Sequence, residues 1–305
     1  MSVTPFPDRQ KAGFFDASPR EIIKSITVLF KLRVVSLLVL SAIGGAFLGA
    51  RGFPGWANFG LITLTGTLTA AGASAINQYW EREKDKLMKR TANRPLASGS
   101  IANPHFVLLI SILLILVPSL AVLPSRPWLT IYLLVGAFIY VVIYTIWLKP
   151  RTQLNIVIGG AAGSAAVLAG GAVVGMHHDP AVLALAAVMF VWTPAHFWSL
   201  AIMMKDDYVA ADTPMLPSQS STRIAAWMVM AHAVPTVLGS LMLAAVPGLG
   251  FWYLLPVLLF SLDLMRRNIT LIRTPNVPNA KSLFLASNFY LMAVLLSIML
   301  VTPFT

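Results

Sequence analysis

Asn77, Glu81 and Asp85 stand in NQYWEREKDKLMKRTANRPLASG, residues 77–99, spaced i, i+4 and i+8. On a helix each such step drifts by only about 40°, so the three side chains form one stripe. Asn77 and Glu81 adjoin a long apolar run. At that depth an ionised carboxylate is costly unless it is paired, wet or bound to a cation. Oxygen donors at this spacing suit Mg²⁺, which takes one or two carboxylates plus waters and substrate phosphates. Lys84, Lys89, Arg90 and Arg94 lie beside them and suit phosphate oxygens, which arginine can bind through two parallel hydrogen bonds. A second acidic cluster, Asp206, Asp207 and Asp212, follows Lys205. Each cluster runs into a proline break, Arg94-Pro95-Leu96 and Met215-Leu216-Pro217, a weak sign of internal duplication. A charged helix end at a membrane surface needs no function. Two acidic clusters in matching places read better as a clamp for a diphosphate held through Mg²⁺.

His196 stands in WTPAHFW, residues 192–198, inside another apolar run. A lone histidine there ordinarily bonds to a neighbouring helix. Pro194 and the rings of Trp192, Phe197 and Trp198 leave a second reading open, an imidazole facing a flat ligand such as haem. The run IGGAAGSAAVLAGG, residues 158–171, is either a close helix contact or room for a bulky flat ligand. Lys149, after Tyr144 in YTIWLKPRTQLN, is a topology charge or a phosphate contact. His105, His177, His178 and His232 fall near the ends of apolar runs and are expected at the interface.

The elements that must position these groups are membrane spans. Of 305 residues, 57% are hydrophobic and 11% charged, against roughly 25% charged in a soluble domain. Nine stretches are apolar enough to cross a bilayer: 26–50, 57–80, 104–123, 128–147, 154–175, 180–204, 223–246, 250–268 and 282–301. Residues 1–20 read as a mobile tail, within a cytoplasmic N-terminal segment 1–25, and residues 26–305 as one membrane domain. With the N-terminus in the cytoplasm, 20 of the 22 Lys and Arg fall on inner segments and only Arg51 and Arg126 outside. That asymmetry fixes the orientation, and nine spans put the C-terminus outside. It also accounts for the net charge of +11 without nucleic acid as a partner. There is no cysteine, so disulfide and thiolate chemistry are excluded.

The pattern N-x-x-x-E-x-x-x-D followed by K-R-T-x-x-R-P-L resembles the first aspartate-rich motif of the UbiA-type intramembrane prenyltransferases. MKRTANRPLASG (88–99), YTIWLKPRTQLNIVIGGAAG (144–163), WTPAHFW (192–198) and KDDYVAADTPMLP (205–217) are similar to the branch that farnesylates haem b. The resemblance covers nearly the whole chain. It implies an all-α polytopic protein, nine transmembrane helices around a central cavity opening to the cytoplasmic side. It implies Mg²⁺-dependent transfer of a farnesyl group from farnesyl diphosphate to a haem b vinyl group, giving haem O. Carried over by motif, Asn77, Glu81 and Asp85 hold metal and diphosphate. Asp207, with Asp206, serves a second metal site. Arg90, Arg94, Lys149 and Lys205 contact diphosphate, and His196 with Trp192 contacts haem. Ala195 stands where the family usually has a second proline, and SAAVLAGG replaces a proline-containing stretch. No acid-poor, Arg- and Ser-rich transit segment is evident at the N-terminus, which favours a bacterial inner membrane; a haem A synthase or terminal-oxidase assembly is the candidate partner. The alternatives are a relative acting on a quinone precursor or another tetrapyrrole, and a haem carrier or transporter. Transporters place charges at mid-span, whereas here the acids sit at inner span ends.

Overall fold

The computed structural model describes residues 18–302, and among these every regular element is helical. Arg9, Lys11 and most of the expected tail lie outside the described residues. The tail's expected last part is instead helix α1, Pro19–Leu29, opened by a capping box between Ser18 and Glu21.

The expected first span, 26–50, is two elements. α1 stops at Leu29, and α2 runs Leu32–Ala50. Lys31 between them has a left-handed backbone, φ 49°, a conformation that costs a residue with a Cβ on the order of 1–2 kcal/mol. The break is supported by Gln78, whose Nε2 donates to the Val28 and Leu29 carbonyls at 2.6 and 2.8 Å. The Leu29 carbonyl would otherwise end a helix unpaired, while that of Val28 also accepts from the Lys31 amide.

α3, Trp56–Asp85, is 30 residues long. It continues past the expected end at residue 80, so the whole acidic stripe rides on one helix. α4, Pro104–Ala121, and α8, Pro180–Met203, open on Asx-Pro pairs: the Asn103 and Asp179 side chains accept from the first free amides and Pro takes the first helical position. α5, Pro127–Phe138, passes without interruption into a π-helix, Ile139–Leu148. The expected span 154–175 is divided at Gly160 into α6, Asn155–Gly159, and α7, Ala161–Val173. Two short helices follow α8, α9 over Lys205–Ala210 and α10 over Leu216–Gln219. Then come α11, Thr222–Met242, α12, Gly250–Arg273, and α13, Val277–Val301.

Among the described residues, eight helical stretches are long and apolar enough to cross a membrane. α12, expected as a span at 250–268, has the length but falls short on apolarity, because Asp263, Arg266, Arg267 and Arg273 occupy its second half. Neighbouring helices pack together, α3 on α4, α8 on α11 and α12 on α13, and α2 packs across the chain on α7, while α13 turns back against α8 and α2. One buried apolar core joins residues from Val35 to Ile298.

The small-residue run settles as a close helix contact. A Cβ on Gly170 would collide with the backbone of Ala42, and one on Gly45 with the Val167 carbonyl. Backbones this near gain dispersion contacts that a larger side chain forbids. Gly170→Ala is therefore expected to cost about 1–3 kcal/mol through overpacking, seen as a lower unfolding temperature of the detergent-solubilised protein. Gly66→Ala is the control: its added Cβ meets only Val39, at an ordinary 3.8 Å.

Candidate active site

Each member of the α3 stripe is held by a cation from a different element. Lys31, at the α1–α2 break, donates to Asn77 Oδ1 at 2.5 Å and to the Tyr140 hydroxyl at 3.0 Å. Lys149, just past the π-helix, lies 2.5 and 2.6 Å from the two Glu81 carboxylate oxygens. Arg94, in the segment after α3, meets Asp85 Oδ2 at 2.7 Å. Asn77, Glu81 and Asp85 are all buried. Three bases thus face two carboxylates. Burial, then the nearby Arg94 guanidinium, pushes the Lys31 ammonium down to about 7. Burial also works against the Lys149 ammonium, yet Glu81 holds it above the ordinary lysine range.

The π-helix supplies the opposite wall. Its wider turn is common at functional sites; here it carries Tyr140, Tyr144 and Thr145 toward α3. Asn77 Nδ2 donates to Thr145 Oγ1 at 3.0 Å, and the Tyr140 and Tyr144 rings stack at 5.6 Å. Gly159 makes room for Tyr144, since a Cβ there would lie 2.9 Å from the ring.

The second acidic cluster meets the segment that follows the stripe, through its backbone. Asp207 on α9 accepts from the Lys89 and Arg90 amides, both at 3.1 Å. A buried carboxylate here pins the loop that carries Arg94. Asp206 and Arg90 are exposed, Lys205 is half-buried, and Arg90 and Lys205 form no ion pair. Asp212 has a left-handed backbone, φ 45°.

The residues fit a Mg²⁺ ion in one specific respect. Asp85 Oδ1 is buried with no hydrogen-bond partner, a costly state for a carboxylate oxygen and a natural one for a cation ligand. No group of three or more Asp, Glu, His or Cys side chains able to hold a metal occurs among the described residues. Glu81 and Asp85 are two carboxylates, the number Mg²⁺ ordinarily takes beside phosphate oxygens.

His196 is held on both faces. Its ring stacks on Trp192 at 4.4 Å and 13° and on Phe284 at 4.6 Å and 28°. Its Nδ1 lies 2.7 Å from Ser287 Oγ, and that hydroxyl donates to the Phe284 carbonyl at 2.8 Å. A hydroxyl has one proton to give. With the Ser287 proton on the Phe284 carbonyl, Nδ1 is the donor toward Ser287 and Nε2 keeps a free lone pair. Trp192 Nε1 donates to the Ser287 carbonyl at 3.1 Å, so α13 orients both side chains.

Sequence reasoning missed Lys31 and Tyr140. Lys31 counted only as an inner-side charge within an unbroken span. A Lys inside a stretch assigned to the bilayer, the sixth residue of 26–50, was the available signal.

Residues 38–295 match the UbiA prenyltransferase family. A Paramagnetospirillum magneticum protein named protoheme IX farnesyltransferase 2 is 40% identical over 278 residues, 91% of this chain and 96% of that protein. The fold is similar to a solved structure of digeranylgeranylglyceryl phosphate synthase, with TM-score 0.75 and 17% identity over 93% of this chain and 99% of the other. It is also similar to a UbiA homologue from Archaeoglobus fulgidus bound to DMAPP and Mg²⁺, with TM-score 0.65 and 14% identity over 91% and 99%. At such identities the structural likeness speaks for the fold alone.

Asp207→Asn keeps the side chain's size but turns one acceptor oxygen into a donor group, so one loop amide loses its partner. Limited trypsin digestion is expected to cut after Lys89 or Arg90 at least several-fold faster than in the parent. Equal rates would show that Asp207 does not hold this loop.

Proposed function

The chain belongs to the UbiA prenyltransferase family, and we propose that it transfers the farnesyl group of farnesyl diphosphate to a vinyl carbon of haem b, giving haem O. The observation that carries this reading is the buried stripe of Asn77, Glu81 and Asp85 faced by Lys31, Arg94 and Lys149. The kinship with the Paramagnetospirillum protein supports the acceptor.

Asn77, Glu81 and Asp85 would hold Mg²⁺, with Asp206 and Asp207 serving a second ion. When bound, the metal neutralises charge on the departing diphosphate. The chain's own bases do the complementary work. Lys31, Arg94 and Lys149 exchange their carboxylate and amide partners for phosphate oxygens, and Arg90 and Lys205 join them from the rim. Such preorganised donors are worth most where leaving-group charge develops. As the allylic C–O bond breaks, its electron pair leaves on the diphosphate. The haem vinyl group supplies the pair for the new C–C bond, and water adds at the neighbouring carbon and loses a proton. The Tyr140 and Tyr144 faces line this site and favour positive charge. Helices around it keep out water that would quench the allyl cation early. His196 Nε2, with Trp192, contacts the haem. The protein would sit in a bacterial inner membrane with its N-terminus cytoplasmic. A haem A synthase or terminal oxidase would take the product.

Membranes containing the protein, given haem b, farnesyl diphosphate and Mg²⁺, are expected to form haem O, detected by mass spectrometry. No product beside a working control enzyme would overturn the reading. Asp85→Asn is expected to lower turnover by at least a hundredfold while the protein still inserts; near-normal rates would remove Asp85 from the metal site. His196→Ala is expected to change the haem absorption spectrum and weaken haem binding about tenfold, with farnesyl diphosphate binding kept. An unchanged spectrum would leave His196 as a helix–helix contact.

A further inference from the structure

A second charged feature lies apart from this site, where the end of α12 meets the start of α13. Two hollows there share Arg267 and Ser282. The first, about 230 Å³, is polar, lined by Arg266, Arg267, Thr270, Asn279 and Ser282; one Asn279 amide proton goes to the Thr274 carbonyl, which leaves the other for a ligand. The second, about 630 Å³, continues between Phe260 on α12 and Leu285 and Phe289 on α13, with Lys281 at its rim. These three apolar side chains are 40%, 46% and 57% exposed, so the groove opens toward hydrocarbon. The head of the groove is braced. Arg267 Nε meets Asp263 at 2.7 Å while its Nη1 donates to Ser282 Oγ. Arg266 stands farther from the same carboxylate, at 3.6 Å. Asp263 among Arg266, Arg267 and Lys281 leaves a surplus of two positive charges where the two hollows adjoin.

A free anion would use the first hollow and leave the apolar groove to other molecules. A neutral lipid would fill the groove and gain nothing from the surplus charge. An amphiphile with an anionic head satisfies both. Basic pockets between helix ends at a membrane surface bind acidic head groups in this manner. We propose that the α12–α13 groove binds an acidic phospholipid, its phosphate on Arg266, Arg267 and Asn279 and an acyl chain along Phe260, Leu285 and Phe289. The Lys and Arg asymmetry assigns this site and the acidic stripe to the same, inner side. It draws on no residue of the proposed reaction.

The test uses the full chain in detergent and native mass spectrometry with phosphatidylglycerol, phosphatidylcholine, haem b and inorganic phosphate. Phosphatidylglycerol is expected to be retained at least tenfold better than phosphatidylcholine. The double variant Arg266→Gln/Lys281→Gln leaves the Arg267 brace intact and is expected to weaken phosphatidylglycerol binding roughly thirtyfold, two surface charges being removed. If that variant aggregates, Arg266→Gln alone, at a 75% exposed side chain, is expected to show about a fivefold loss. Equal retention of the two lipids, or an unchanged affinity in the variant, would overturn the proposal. So would displacement of phosphatidylglycerol by millimolar phosphate, which marks an anion site only, or by stoichiometric haem b, which marks a porphyrin carboxylate site.

Discussion

Two carboxylates buried at the end of a transmembrane helix are the constraint around which this molecule is organised. Glu81 and Asp85 cannot stay ionised there unless cations come to them. None of those cations comes from α3 itself. Lys149 comes from the end of the π-helix and Arg94 from the loop beyond α3, while Lys31, at the end of α1, takes Asn77. The need to neutralise one helix end therefore fixes where three other segments stop. The left-handed turn at Lys31, the wide turn before Lys149 and the Asp207-pinned loop before Arg94 serve one end.

Such a network is poor at stabilising a fold, because desolvating both partners offsets most of the attraction. Stability comes from elsewhere, from the apolar core and the close approach of α2 and α7 at Gly45 and Gly170. The division of labour leaves the polar end free to exchange partners. A cation that now satisfies a carboxylate can satisfy a phosphate at similar cost, without disturbing the helix pairs that hold the bundle.

Much of this was legible in the residues. The i, i+4, i+8 spacing forecast the stripe, and length and apolarity placed most helices, because a 3.6-residue period and a bilayer's thickness leave few choices. The errors arose where local geometry outranks hydropathy. Nothing apolar marks the break at Lys31, which rests on Gln78 from another helix. Nothing in IYVVIYTIWL announces a π-turn. α12 is a full helix with a charged half, so its length and its hydropathy disagree. His196 was visible as an odd residue, but its tautomer depends on Ser287, 91 residues away.

The hydrogen bonds from Lys89 and Arg90 to Asp207 span 118 and 117 positions of chain, and the Lys149–Glu81 bond spans 68. A chain is made from its N-terminus. When α3 emerges, its carboxylates exist but Lys149 and Asp207 have not yet been synthesised. Until α5 arrives, Glu81 has to be hydrated, so the end of α3 waits in the head-group layer. Only after α8 and α9 follow can the loop carrying Arg94 take its final form. The polar centre is thus closed late, and chains interrupted before α8 would reach the membrane without gaining the means to act there.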